Sequence, residues 1–177
     1  MRNVAPALAL LLLASPALAA GGETELTGEA TLGGEARHVT LRLACDPAHA
    51  GLSAALTVPR YADLAPRFDF HAFEGPDGTG KPLTALRVSG GSGVRSVIAP
   101  ASGAVAADPA TSFVLTVAGP RRSENPLRSI AADLARPDAR ITWAQASPRP
   151  GDAPLTATFR IEEAGPLRTA LEPCFGP

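Results

Sequence analysis

The chain reads as an all-β protein: an antiparallel β-sandwich of about eight strands with one or two short helices, a flattened barrel being the alternative. Three observations lead there. Apolar residues recur with period two in eight or nine short segments, as in strands that bury one face. Turn-forming stretches rich in glycine (17 residues) and proline (18 residues) separate those segments. No strand–helix–strand rhythm runs through the sequence, so a parallel sheet is not expected, and antiparallel sheets packed face to face suit one-sided alternation.

The first nineteen residues read as a signal peptide. Arg2 provides a positive start, Val4 to Ala14 is an apolar run too short for a bilayer, and Ala17-Leu18-Ala19 has the small-x-small pattern of a cleavage site. Residues 20–177 then form one domain, since neither a linker nor an internal repeat divides them. No later stretch is apolar enough to be a membrane span. The expected location is periplasmic or secreted.

The strands follow in order. Thr24 to Leu32 alternates, with Leu26, Ala30 and Leu32 on one face, and Gly33-Gly34 supplies the turn. Arg37 to Cys45 points Val39, Leu41, Leu43 and Cys45 inward. Leu52 to Val58 repeats the pattern. Between Pro59 and Pro66, Arg60 to Ala65 has room for one helical turn. Phe68 to Phe73 reads as an aromatic strand with Phe68, Phe70 and Ala72 on one face. Leu83 to Val88 and Val94 to Ile98 flank a Ser-Gly-Gly-Ser-Gly turn and predict a hairpin. Phe113 to Ala118 is a further strand. Pro126 to Arg136 is the one convincing helix: Asn125 is a good N-cap, Pro126 suits the first helical position, and Leu127, Ile130, Ala131 and Leu134 form a stripe. Ala139 to Gln145 and Leu155 to Ile161 complete the strands around a Pro-rich loop, Ser147 to Pro154. Trp143 is expected in the core with its indole N–H paired to a neighbour.

Two cysteines in an exported chain predict one disulfide, Cys45–Cys174, joining the second strand to the C-terminal tail. A formal net charge of −1 gives no reason to expect a nucleic-acid partner.

No catalytic or metal-binding constellation stands out. Gly75 to Lys81 has the spacing of a phosphate-binding loop, but Pro82 replaces the Ser or Thr that would hold magnesium, so it reads as a hairpin loop and no cofactor is expected. Ser92 does not complete Gly-x-Ser-x-Gly, because Val94 takes the last place. Asp46 and His49 lie near Cys45 and could join His38 or His71 around a metal, but the disulfide competes for Cys45 and no metal is expected. Asp69 and His71 would share the outward face of one strand, where an acid and an imidazole could move protons, or simply be solvated. Arg121, Arg122 and Arg128 gather at the start of the helix, a candidate anion site that Glu124 could instead satisfy internally.

Leu43-Ala44-Cys45-Asp46, Ser89-Gly90-Gly91-Ser92-Gly93-Val94-Arg95 and Glu172-Pro173-Cys174 together resemble the periplasmic inhibitors of C-type lysozyme. Those small exported β proteins carry an early Cys, a late partner Cys, and a Ser-Gly-rich loop that plugs the lysozyme cleft. The resemblance implies that Ser89, Ser92 and Arg95 form an inserting loop. Ser96 stands where that family has Tyr, this chain is longer, and the 126–136 helix has no counterpart there.

The function expected from these residues is that of an exported, non-enzymatic binding or interaction module, with another exported or envelope protein as partner. The Gly/Pro loops at 74–82, 89–93 and 147–154 are its candidate contacts. The alternatives are inhibition of a periplasmic or extracellular hydrolase such as lysozyme, and an enzyme assembled around Asp69 and His71.

Overall fold

A computed structural model describes residues 21–49, 51–75, 78–91, 93–106 and 112–175. The signal-peptide reading of residues 1–19 and candidate Ser92 lie outside these residues.

Among the described residues nine antiparallel strands form one hydrogen-bonded sheet: β1 (Glu23–Leu32), β2 (Glu35–Asp46), β3 (Gly51–Pro59), β4 (Thr84–Gly90), β5 (Gly93–Ala99), β6 (Ser102–Val105), β7 (Ser112–Val117), β8 (Arg140–Gln145) and β9 (Leu155–Arg160). The expected all-β antiparallel class is therefore present. The strands run β5-β4-β8-β9-β1-β2-β3-β7-β6 across a sheet curled into a half-barrel.

The curl follows from the chain path. β5 and β6 are the two outer strands, yet only Pro100 and Ala101 separate them in sequence. Two residues span at most about 10 Å, so the sheet must bend round until its edges meet at that corner. Extending the β2–β3 register by one residue to set Val39 beside Val58, one row runs from Val105 through Phe113, Val58, Val39, Gly28, Phe159, Ile141 and Val88 to Arg95. Its two ends lie ten residues apart on the same stretch of chain, the kind of stagger that a curling sheet requires.

The period-two reading places the core well. Val39, Leu41, Leu43 and Cys45 of β2, Leu52, Leu56 and Val58 of β3, Phe113, Leu115 and Val117 of β7, and Leu155, Phe159 and Trp143 of β9 and β8 are all buried in one cluster. Leu32 pairs with Glu35 across Gly33-Gly34 (φ 56° and 87°), and these left-handed dihedrals are those of the two-residue turn whose twist matches the strands.

Four expectations need correction. Phe68 to Phe73 is not a strand. Phe68, Phe70 and Phe73 are buried, but Asp69 Oδ1 accepts the Ala72 N–H at 3.3 Å and the chain turns into a 3-10 helix at His71–Phe73. A short polar side chain that satisfies a nearby backbone group competes with a sheet ladder. Asp69 and His71 consequently do not share a strand face.

The single helix over 126–136 is broken into a 3-10 turn, Pro126–Ser129, and a four-residue helix α1, Ala131–Leu134, because Ile130 adopts φ −116°, ψ −3°. Its expected details survive: Asn125 accepts the Leu127 N–H at 2.9 Å, and Leu127, Ile130, Ala131 and Leu134 are buried. For so short a segment packing outweighs helical propensity.

Trp143 is fully buried, but its Nε1–H has no hydrogen-bond partner, contrary to expectation. Finally, the C-terminal tail contains a helix not foreseen, α2 (Ala164–Leu171), which packs on β1 and β2 through buried Leu167 and Leu171. Its end delivers Cys174 to Cys45. The disulfide is formed, with Cα atoms 5.8 Å apart. No helix among the described residues is long and apolar enough to cross a membrane.

Candidate functional site

The β4–β5 hairpin joins a strand with one buried face to a strand that is largely exposed. β4 and β5 pair from Thr84↔Ala99 to Gly90↔Gly93, so the glycine-rich turn foreseen at 89–93 is at its tip. Leu86 and Val88 of β4 are buried, whereas in β5 only Ala99 is. Val94 is 55% and Ile98 67% exposed; with Val105 at the other edge they are the large exposed hydrophobics among the described residues.

Strand parity fixes what each β5 residue presents. Ala146 N–H donates to the Leu83 carbonyl at 2.9 Å, in line with the β4–β8 register. Bonded pairs alternate along an antiparallel ladder, so Ala85, Arg87 and Ser89 bond toward β8, and Thr84, Leu86, Val88 and Gly90 bond toward β5. Their partners Gly93, Arg95, Val97 and Ala99 are thereby satisfied. The backbone groups of Val94, Ser96 and Ile98 point to the open side, and their side chains lie on the outer face beside Ser89, Arg87 and Ala85.

Arg95, on the inner side, is held by a carboxylate. Asp133 of α1, 13% exposed, accepts Arg95 Nε at 3.0 Å and Arg136 Nη2 at 3.1 Å. The three line a small cavity of about 70 Å³, floored by Val88 and Ala139. Of the inhibitor-like loop residues, then, Ser89 is half-buried on the outer face, and Arg95 on the other face is paired with Asp133 while remaining largely exposed. Asp133 was not singled out in the sequence, because nothing local links it to a residue thirty-eight positions earlier.

The other candidate residues are dispersed. Arg121 pairs with Glu124 at 2.8 Å, and Arg122 donates to the Pro173 carbonyl at 3.3 Å while its backbone N–H bonds His49. Arg128 is exposed, and Asn125 already satisfies the first N–H of the turn that follows it. The three arginines are not focused on one point. Asp69 caps Ala72, and its own N–H donates to Asp152; His71 pairs with Glu74 at 2.8 Å on the surface. The imidazole and the Asp69 carboxylate thus have separate partners.

Asp46 pairs with His49 Nδ1 at 3.1 Å. Desolvation pushes the Asp46 carboxyl upward, but the His49 hydrogen bond and charge, with the Ala48 and His49 N–H groups, hold it below the ordinary aspartate value. No group of three His, Cys, Asp or Glu side chains suited to a metal occurs among the described residues. The loop foreseen at 147–154 is internally bonded. Asp152 accepts the Ser147 hydroxyl, Arg149 Nε at 2.7 Å and the Asp69 N–H at 3.1 Å, and these contacts outweigh desolvation to lower its pKa.

Fold and site together define a disulfide-linked, all-β chain in which no described residue hydrogen-bonds the outward side of β5. No protein-family model, curated protein or solved structure significantly matches it.

Proposed function

We propose that this chain is an exported binding or interaction module whose contact element is the β4–β5 hairpin. The observation that carries the reading is the combination, on one strand, of open backbone groups and two exposed β-branched side chains, Val94 and Ile98. An extended segment can bond to such an edge while the side chains select it. Export rests on the N-terminal pattern of residues 1–19 and is supported by the disulfide, a bond that persists in oxidising compartments.

Inhibition of a hydrolase is the narrower form of this reading, since the Ser-Gly-rich stretch resembling an inhibitor loop spans this hairpin. In that form the contact would take in Ser89, the turn glycines and the exposed Arg95, which Asp133 holds beside them.

Photo-crosslinking from position 94 or 98 of the oxidised protein, in an extract of exported proteins from the producing organism, tests the module. A discrete adduct that disappears with Ile98→Lys or Val94→Lys supports it, and adducts indifferent to both substitutions overturn it. Unchanged lysozyme activity at micromolar excess of the protein removes the narrower reading.

A further inference from the structure

The two edges of this sheet are treated differently. β6 is four residues long, and Glu74 bridges Gly103 beside it, with Gly75 N–H donating to the Gly103 carbonyl at 3.3 Å. β5 is seven residues long, and no hydrogen bond within the described chain uses the backbone of Val94, Ser96 or Ile98 on the open side. Exposed edges are ordinarily guarded by lysine, proline, a bulge or an inward charge. Residues 93–99 hold neither lysine nor proline, and the one charge, Arg95, is bound by Asp133. The Pro126–Ser129 turn packs against β5 with Leu127 turned into the core.

We infer that β5 pairs antiparallel with β5 of a second copy, about a two-fold axis at Ser96. This rests on the reading of β5 as the contact element and names its partner. The strand is self-complementary in that register. Ser96 faces Ser96 of the other copy, and Val94 faces its Ile98. These are the residues whose N–H and C=O groups point outward, so all three pairs are hydrogen-bonded ones. The two apolar pairs flank the small central serine and cover each other on the outer face. Arg95 falls opposite Val97, so no like charges meet.

Shifting the register by two residues in one direction sets Arg95 against Arg95; shifting it either way unpairs one end of the strand. The Arg87 side chains, one strand further in, stay about 14 Å apart, beyond the screening length at physiological salt. A closed isologous pair also consumes both open edges at once, which ends growth at two copies.

The contact is a single strand pair, so a weak dimer is expected, forming between roughly micromolar and millimolar concentration. Sedimentation of the oxidised protein should show the mass rising from one chain to two over that range. Ser96→Pro should hold it at one chain. It removes an outward N–H and leaves the β4 ladder bonded, which circular dichroism checks.

A second measurement fixes the register. Bonded pairs place Cα atoms about 5.5 Å apart, within disulfide reach, so Ser96→Cys should crosslink two copies under mild oxidation. Val94→Cys, about 14 Å from its own mate, should not. A single-chain mass at millimolar concentration, or Ser96→Cys crosslinking no faster than Val94→Cys, overturns the self-pairing. Either result leaves the module intact if position 94 or 98 still yields a discrete foreign adduct. Loss of that adduct overturns the module itself.

Discussion

Asp133 holds Arg95 at 3.0 Å, joining the four-residue helix α1 to an outer strand that otherwise has only β4 beside it in the sheet. The same carboxylate takes Arg136, so one acid organises two cations at the foot of the hairpin. Arg95 is itself largely exposed, so the contact positions the strand more than it stabilises the fold. Asp133→Ala should therefore lower global stability by only about 1 kcal/mol. It should also increase amide exchange at residues 93–97 well beyond that, a local loosening that hydrogen-exchange measurements resolve.

The disulfide should matter far more. It closes a loop of 129 residues and anchors α2, whose Leu167 and Leu171 cover the β1–β2 region. The double substitution Cys45→Ser, Cys174→Ser should cost about 2–5 kcal/mol in denaturant unfolding. Limited proteolysis of that variant should cut first within 162–171, where the released helix frays.

Asp152 should give the protein an acid-sensitive loop. Its folded pKa is depressed: the Ser147 hydroxyl, the Arg149 guanidinium and the Asp69 N–H outweigh the upward push of desolvation. The stabilisation is fully present above the unfolded aspartate value of about 3.9 and is lost as pH falls through the lower folded value. Asp152→Asn should flatten the stability-against-pH curve in that window, with little change of slope at neutral pH. A carboxyl titration by NMR should place Asp152 below a free aspartate.

Trp143 is the single tryptophan, and its fully buried indole N–H is unpaired. Trp143→Phe loses volume but also removes a donor that costs about 1–3 kcal/mol to leave unsatisfied, so the change should be within about 1 kcal/mol. Trp143→Ala lacks that compensation in shape and should cost about 3–5 kcal/mol. Chemical unfolding followed by tryptophan fluorescence and by circular dichroism separates the cases.

A buried hydrogen bond gives a sharper contrast. Thr84 Oγ1 donates to Gln145 Oε1 at 2.6 Å, and both side chains are fully buried. Thr84→Val should destabilise by about 1–3 kcal/mol, because Gln145 is left without that donor. Thermal unfolding measures it directly.

Much of this architecture was legible because a strand with one buried face must alternate. Leu155, Ala157, Phe159 and Ile161 declare themselves, and the phase of Val39, Leu41 and Leu43 put Cys45 on the side where its partner arrives. Legibility failed where local bonding beats the pattern. Phe68 and Phe70 alternate, but Phe73 joins them in the core only because Asp69 turns the backbone. Helix α2 went unforeseen; it holds Gly165 and Pro166 in its first turn, where proline is tolerated. Ser-Gly-Ala-Val at 102–105 carries too little apolar signal to announce β6. The hairpin itself was foreseen. Its exposed face was not, because Val94 and Ile98 alternate with Val97, and β-branched residues on both faces do not say which one is wet. The Arg95–Asp133 contact depends on chain segments that only the fold brings together.

Residue-resolved amide exchange along β5, on the dilute oxidised protein, tests the open edge most directly. An alternation is expected: Arg95, Val97 and Ala99 protected by β4, and Val94, Ser96 and Ile98 exchanging fast, then slowing as concentration rises. Uniform protection of all six amides in the dilute protein would mean that the chain already covers its own edge, and would contradict it.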